Sequence, residues 1–442
     1  MSKIRVLHII TRLIRGGADE NTVFSAEGLP PEAYDVALAS GPDSEKEMRQ
    51  RLRNSKFVVV PSLQREINPI KDLKALLQLV RIMKQGRYQV VHTHVAKAGI
   101  LGRIAAKLAG VPVVIHTLHG ITFHPHLPTP VRLLYLFLER LADHCTDLFI
   151  DVGEDLKQTY VSHGIGRADK HVVVRSGFDV HRFLKAGQNR AAQKAKLLRR
   201  LGLPEGSLLV GTAARLERRK GIKYFIDAAK QITERIPNVY FLVAGQGRDG
   251  MQLQTYGDSV GLNGRLHFTG FETEIAEYLA GLDLFVLSSL WEGLPRILVQ
   301  AGAVGIPVVS FRVEGVHEVV THGGNGFVVP SRDVEALLGR VTELLQNPAR
   351  AQQMGQYARK NLLADWDYKN MIRQIEAIYQ RLLTKKGIAC ERGELRWFKD
   401  GVAATGLANA IRHEENLKSI ADRIGISDPE VDFKLTETAI AN

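Results

Sequence analysis

Short apolar runs alternate with stretches of helical spacing along most of the chain, a pattern that predicts βαβ units and parallel sheets. In the first part, the runs at 4–10, 34–39, 56–60, 90–94, 113–117, 148–152 and 171–175 read as strands. Between them, 71–85, 100–109 and 131–142 repeat apolar residues three and four apart, the spacing of a packed helix. A second strand series follows at 208–213, 239–244, 266–269, 284–287 and 308–311. The predicted fold is therefore α/β, with two doubly wound, Rossmann-like domains. An N-terminal domain covers 1–183 and a C-terminal domain 208–365. The linker between them, 184–207, is basic (Lys185, Arg190, Lys194, Lys196, Arg199, Arg200) and has no strand of its own. A closing helix is expected over 366–386. Apolar density then falls across a tail, 387–442, read as partly helical or disordered.

Length supports two units, because 442 residues exceed what one ordinary core holds. With 45% hydrophobic and 24% charged residues, the composition is that of a globular protein. No apolar run reaches the roughly 18 residues a membrane span needs. Met1-Ser2-Lys3 leads straight into the first strand without a secretory pattern, and the two cysteines, Cys145 and Cys390, are too few for a disulfide framework. A cytoplasmic location is expected. The net charge is +12, with +7 in residues 1–182. A solvated surface with an anion-binding cleft is one reading of that excess. Attraction to an anionic membrane surface is another, with the amphipathic stretch 71–87 (Lys71, Lys74, Arg81, Lys84) as its candidate and the inner face of the cytoplasmic membrane as the place. No aromatic-interleaved basic patch points to nucleic acid.

Chemistry concentrates in loops that follow predicted strands, where doubly wound sheets bind ligands. Gly211 to Gly221 holds Arg215 and Lys220 five residues apart between a strand and a helix, a spacing suited to a doubly charged diphosphate. Arg218 and Arg219 between them are expected to face solvent. Glu292, followed by Gly293, Leu294 and Pro295, places a carboxylate beside a glycine turn, which suits sugar hydroxyls. Gly16 and Gly17 after the first strand let a ligand approach the backbone closely and lead into a helix start. Gly245 and Gly247 form a weaker glycine pair. His116, His119, His124 and His126 crowd one loop near His92 and His94. No carboxylate or cysteine stands at zinc-ligand spacing, so hydrogen bonding to sugar or phosphate is expected there and no metal.

Taken together, these loops resemble those of the group 1 (family 4) retaining glycosyltransferases, which have the GT-B fold. The resemblance spans about residues 4–383. It rests on Gly16-Gly17-Ala18, Val91-His92-Thr93-His94, His119-Gly120, Ser176-Gly177-Phe178-Asp179, Arg215 to Gly221, Gly245-Gln246-Gly247, Gly270-Phe271 and Glu292 to Pro295. Gly315, Glu318 and Asn325-Gly326 follow in order. The likeness implies a UDP- or GDP-linked sugar donor in the second domain and a saccharide or lipid-linked saccharide acceptor in the first. Arg215 and Lys220 would hold the diphosphate, Glu292 the donor sugar, and His119 would lie near the reacting carbon. Gly16 and Gly17 would sit at the phosphate–acceptor edge. It also implies chemistry without a metal or other cofactor, in bacterial surface polysaccharide or glycolipid synthesis. One departure stands out: where the family carries a second glutamate, eight residues after Glu292, this chain has Gln300. Two alternatives remain at this stage, a non-catalytic sugar-nucleotide binding protein and an epimerase or hydrolase on the same fold.

Overall fold

A computed structural model describes residues 3–388, apart from His126 and Leu363. The expected tail lies outside the described residues from position 389 onward. Seven parallel strands form the first sheet: β1 (Ile4–Ile10), β2 (Tyr34–Ser40), β3 (Lys56–Val59), β4 (Val90–His94), β5 (Val113–Leu118), β6 (Leu148–Asp151) and β7 (His171–Val173). Six more form the second: β8 (Leu208–Ala213), β9 (Val239–Ala244), β10 (Leu266–Gly270), β11 (Leu284–Leu287), β12 (Val308–Phe311) and β13 (Gly326–Val329). The helices between strands of the first sheet are α1 (Gly17–Glu27), α2 (Lys46–Arg49), α3 (Pro69–Gly86), α4 (Ala96–Ala109), α5 (Thr129–Asp143) and α6 (Glu154–Ser162). Then come α7 (Val180–Gln188), α8 (Arg190–Leu201), α9 (Ile222–Arg235), α10 (Gly250–Ser259), α11 (Ile275–Ala280), α12 (Arg296–Val304), α13 (Val334–Gln346), α14 (Pro348–Lys360) and α15 (Tyr368–Lys385).

The first sheet runs β3-β2-β1-β4-β5-β6-β7 and the second β10-β9-β8-β11-β12-β13. Each order reverses once, between β1 and β4 and between β8 and β11. Alternation along β1 shows why both faces must be covered. Ile4, Val6 and Ile10 join a core with α1 and α15, while Leu7 and Ile9 join one with α3 and α4. Strands buried on both faces read as continuous apolar runs, which is why they were legible.

Three features depart from the pattern reading. The segment 184–207, expected as a linker with no strand of its own, has none but is mostly helical. Phe183, Ala186, Leu197 and Leu198 of α7 and α8 belong to the second domain's core; their spacing is masked by the surrounding lysines and arginines. The short edge strand β13 gave too little apolar signal to be expected. The closing helix does not stay with the domain that precedes it. α15 returns to the first domain, burying Met371, Ile375, Ile378 and Tyr379 against its sheet. The crossing is tied by Phe178 N–H to Trp366 O at 2.9 Å and Tyr368 N–H to Phe178 O at 3.1 Å.

Candidate functional site

The two reversal points face each other, and the candidate loops flank them. Gly16 and Gly17 follow β1 and open α1, and His94 ends β4 beside them. Across the cleft, the Arg215 loop follows β8 and the Glu292 loop follows β11. Crevices at such points, beyond the carboxyl ends of the strands, are where doubly wound sheets bind ligands.

Arg215 spans the gap. Its Nη2 donates to Arg15 O at 3.1 Å, and a Cβ on Gly16 would lie 3.2 Å from the same nitrogen and 2.9 Å from Asp19 Oδ2. Glycine there leaves room for the guanidinium. Lys220 is partly buried, its side chain 14% exposed, and donates to Glu292 Oε1. Burial lowers its pKa, and Glu292 acts against that. Burial also pushes Glu292 upward, but Lys220 and Arg219 outweigh it and hold the carboxyl below its ordinary value. Arg219 is therefore turned inward rather than to solvent, with Nε 3.4 Å from Glu217 Oε2 and Nη1 3.9 Å from Glu292 Oε2. Arg218 alone of that pair is exposed. Gly221 has φ +60°, and a Cβ there would meet Ser288 O at 2.0 Å, so only glycine lets this loop lie on the end of β11. Leu290 N–H bonds Arg219 O at 2.8 Å, completing the tie.

Gly293 marks one of the closest approaches between the domains. A Cβ on it would meet His119 O at 2.2 Å and Gly120 Cα at 2.9 Å. Leu294 packs against cores of both domains, and Trp291 stacks on His124 with ring centroids 5.3 Å apart. The glycine pair of the second domain lies behind the Arg215 loop. A Cβ on Gly245 would strike Ala214 O at 1.9 Å and one on Gly247 would strike Leu216 O at 2.3 Å. Both therefore shape the loop that carries Arg215. Gln300 is buried in α12, 7% exposed.

The histidine crowd divides. His92, His94 and His116 are fully buried and bond protein neighbours, contrary to the expectation that the whole group would meet ligand. His119, half-buried at the cleft, starts a hydrogen-bonded chain. Its Nε2 is 3.2 Å from His94 Nδ1, whose Nε2 is 3.1 Å from His8 Nδ1. Tyr379 Oη then lies 3.4 Å from His8 Nε2 and 2.6 Å from His92 Nδ1. His8, His92 and His94 bring one ring nitrogen each within 4.8 Å of one another. Burial pushes His119 down to about 3, which keeps its ring neutral. His8, also near 3 through burial, was not singled out, because one histidine in an apolar strand carries no signal. His126 lies outside the described residues.

Two further residues escaped the pattern reading. Asp19, in the first turn of α1, is buried with Oδ1 accepting from Ile14 N–H at 3.0 Å. Burial raises its pKa to about 7 despite that bond and the nearby Arg215. Arg296 crosses the cleft, with Nη2 2.5 Å from Glu20 Oε2 and Nη1 donating to Gly177 O at 2.8 Å. Glu318 also joins the domains, accepting from the N–H groups of Glu154 and Asp155 at the start of α6 and pairing with Arg175.

Comparison with known proteins gives matches over both halves. The profile described as "Glycosyl transferases group 1" matches residues 193–361, and that of a "Glycosyl transferase 4-like domain" matches 16–177. The chain is 31% identical over 392 residues to the UDP-Gal:alpha-D-GlcNAc-diphosphoundecaprenol alpha-1,3-galactosyltransferase of Escherichia coli, covering 87% of this chain and 99% of that one. It is 24% identical to the capsular polysaccharide biosynthesis glycosyltransferase CapM of Staphylococcus aureus, covering 87% and 98%. The crystal structure of Anabaena HepE in complex with UDP and glucose shares the fold, with a TM-score of 0.73 at 22% identity, covering 85% of this chain and 99% of that one.

Proposed function

The chain belongs to the group 1 glycosyltransferases, with the GT-B fold, and on that basis we propose that it is a retaining, metal-independent enzyme that moves a sugar from a UDP-linked donor to a lipid-linked saccharide. The observation that carries this reading is the placement of Arg215 and Lys220. Both stand at the reversal point of the second sheet, opposite the Gly16-Gly17 loop and beside Glu292.

In this reading the diphosphate lies between Arg215 and Lys220, and its arrival displaces the bond from Arg215 to Arg15 O. The two cations gain energy as charge builds on the leaving group, and such preorganised contacts lower the barrier. They supply the charge neutralisation for which other transferases use a metal. Glu292 and the amides of Gly293 and Leu294 hold the donor sugar, and the neutral ring of His119 bonds it near the reacting carbon. The departing phosphate oxygen takes the proton of the acceptor hydroxyl, so no protein nucleophile enters. Gln300 bonds the nucleotide ribose without the charge of a glutamate.

The uridine donor and the polyprenyl-diphosphate acceptor are carried over from the galactosyltransferase of Escherichia coli. An acceptor of that kind supports a cytoplasmic enzyme working at the inner membrane face, in surface polysaccharide or glycolipid synthesis. The test is transfer from UDP-sugars to a short diphosphate-lipid saccharide with excess chelator present, the product analysed by NMR. An unchanged rate and retained anomeric configuration are expected. An inverted product, or a rate abolished by the chelator and restored by a divalent ion, would overturn the proposal.

A further inference from the structure

α5 reverses the usual order of a packed helix, and α3 carries an outer apolar stripe besides the face it buries. On α5, Leu133, Leu134, Phe137 and Leu141 are exposed, Phe137 to 63%. They fall three and four apart and so share one face. The opposite face of α5 buries a charge instead: Glu139 lies 2.5 Å from Arg103 on α4, with both side chains inaccessible to solvent. On α3, Ile70, Leu73 and Leu77 form a second exposed stripe, Ile70 to 70%.

The two stripes flank α4, against which both helices pack; on the α3 side Lys97 of α4 pairs with Asp72 at 2.7 Å. Seven exposed large apolar side chains on two helices that flank α4 exceed the scattering expected of an ordinary surface. The stretch that contains α3 is basic: residues 51–107 carry twelve Lys and Arg against two Asp and Glu. Lys71, Lys74, Arg81 and Lys84 all stand exposed on α3 itself.

Apolar side chains set among lysines and arginines match a bilayer with anionic headgroups, where each half of the surface finds its counterpart. We infer that the faces of α3 and α5 together form the surface by which this enzyme docks on an anionic membrane. Both helices start at the carboxyl edge of the first sheet, the edge that carries the cleft. The loop between β5 and α5 runs from His119 through His124 to the exposed face, so a docked membrane lies beside the cleft mouth. The inference rests on the lipid-linked acceptor of the proposed function and adds the part of the molecule that meets the lipid. Among the described residues no helix is long and apolar enough to cross the membrane, so the contact is peripheral.

The test is co-sedimentation of the full chain with vesicles of phosphatidylglycerol and phosphatidylethanolamine, and with phosphatidylcholine alone. Binding to the anionic vesicles that weakens with salt is expected. Leu134→Ser with Phe137→Ser should reduce it at least tenfold, and Lys71→Glu with Lys74→Glu should remove most of its salt dependence. Transfer to a water-soluble, short-chain acceptor should stay unchanged in both variants, so a failure of docking is distinguished from a failure of the chemistry. All four side chains are exposed, and unaltered circular dichroism would confirm the fold. Equal binding by wild type and both variants, or no binding to anionic vesicles, would overturn the inference. So would a wild-type dimer that Phe137→Ser dissociates, which would assign the face to a second copy.

Discussion

Lys220 and Glu292 form a largely buried pair whose removal separates stability from catalysis. Their side chains are 14% and 11% exposed. Breaking a buried pair from one side leaves an uncompensated charge, at a cost of about 3 kcal/mol, the low end of the usual range because some water still reaches both groups. Glu292→Gln leaves Lys220 facing Arg219 and Arg215, both of which already depress it. Its pKa then falls further, and the ammonium is lost at a lower pH. Lys220→Met leaves Glu292 with Arg219, 3.9 Å away, as its charged partner. Each single variant should therefore unfold in less denaturant, whereas the double variant, with no stranded charge, should recover to within about 1 kcal/mol of wild type. Urea titration followed by tryptophan fluorescence reads the first quantity, and sugar transfer at saturating donor reads the second. Activity should stay lost in the double variant. In Glu292→Gln, the residual activity should fade at a lower pH than in wild type. Three variants of equal stability, or a double variant that recovers transfer, would refute this reasoning.

Three other substitutions probe the cleft. Asp19 has its carboxyl raised from 3.8 to about 7 by burial, so its ionisation opposes folding; the cost begins above the unfolded pKa and is complete above about pH 7. Asp19→Asn should raise the unfolding midpoint at pH 8 by an amount that disappears near pH 4, with an upper limit of about 4 kcal/mol from 1.4 kcal/mol per pKa unit; equal effects at both pH values would contradict this. Gly293→Ala puts a methyl 2.2 Å from His119 O and should hold the domains apart, cutting transfer at least tenfold with little change in the unfolding midpoint. Gln300→Glu should tighten donor binding about fivefold, by roughly 1 kcal/mol, as measured by calorimetry, while lowering the stability of the donor-free enzyme, since position 300 is buried.

The two sheets and the Arg215 and Glu292 loops were legible because each depends on local pattern: continuous apolar strands, then glycine beside charge. What stayed hidden depends on contacts distant in sequence. Tyr379 joins the histidine chain from α15, far from His8 and His92. Arg296 meets Glu20 only once the domains face each other. Asp19 reads as an ordinary acidic residue in a helix's first turn, and only its burial makes it titrate near neutrality. Gly245 and Gly247 could be recognised as a turn, but their packing against Ala214 and Leu216 could not. The α5 stripe has the periodicity of a buried helix, and sequence alone cannot show that its apolar face points outward.

The cationic pair is the centre of the account, and Arg215→Ala tests it most directly, because the guanidinium leaves while Lys220 and Glu292 keep each other. The rate at saturating donor, with acceptor also in excess, should fall about a hundredfold or more, as when a single donor to a developing oxyanion is removed. A wild-type rate under those conditions, with only the donor concentration needed for half-saturation raised, would mean that Arg215 binds the diphosphate without assisting its departure, and the mechanism proposed here would be wrong.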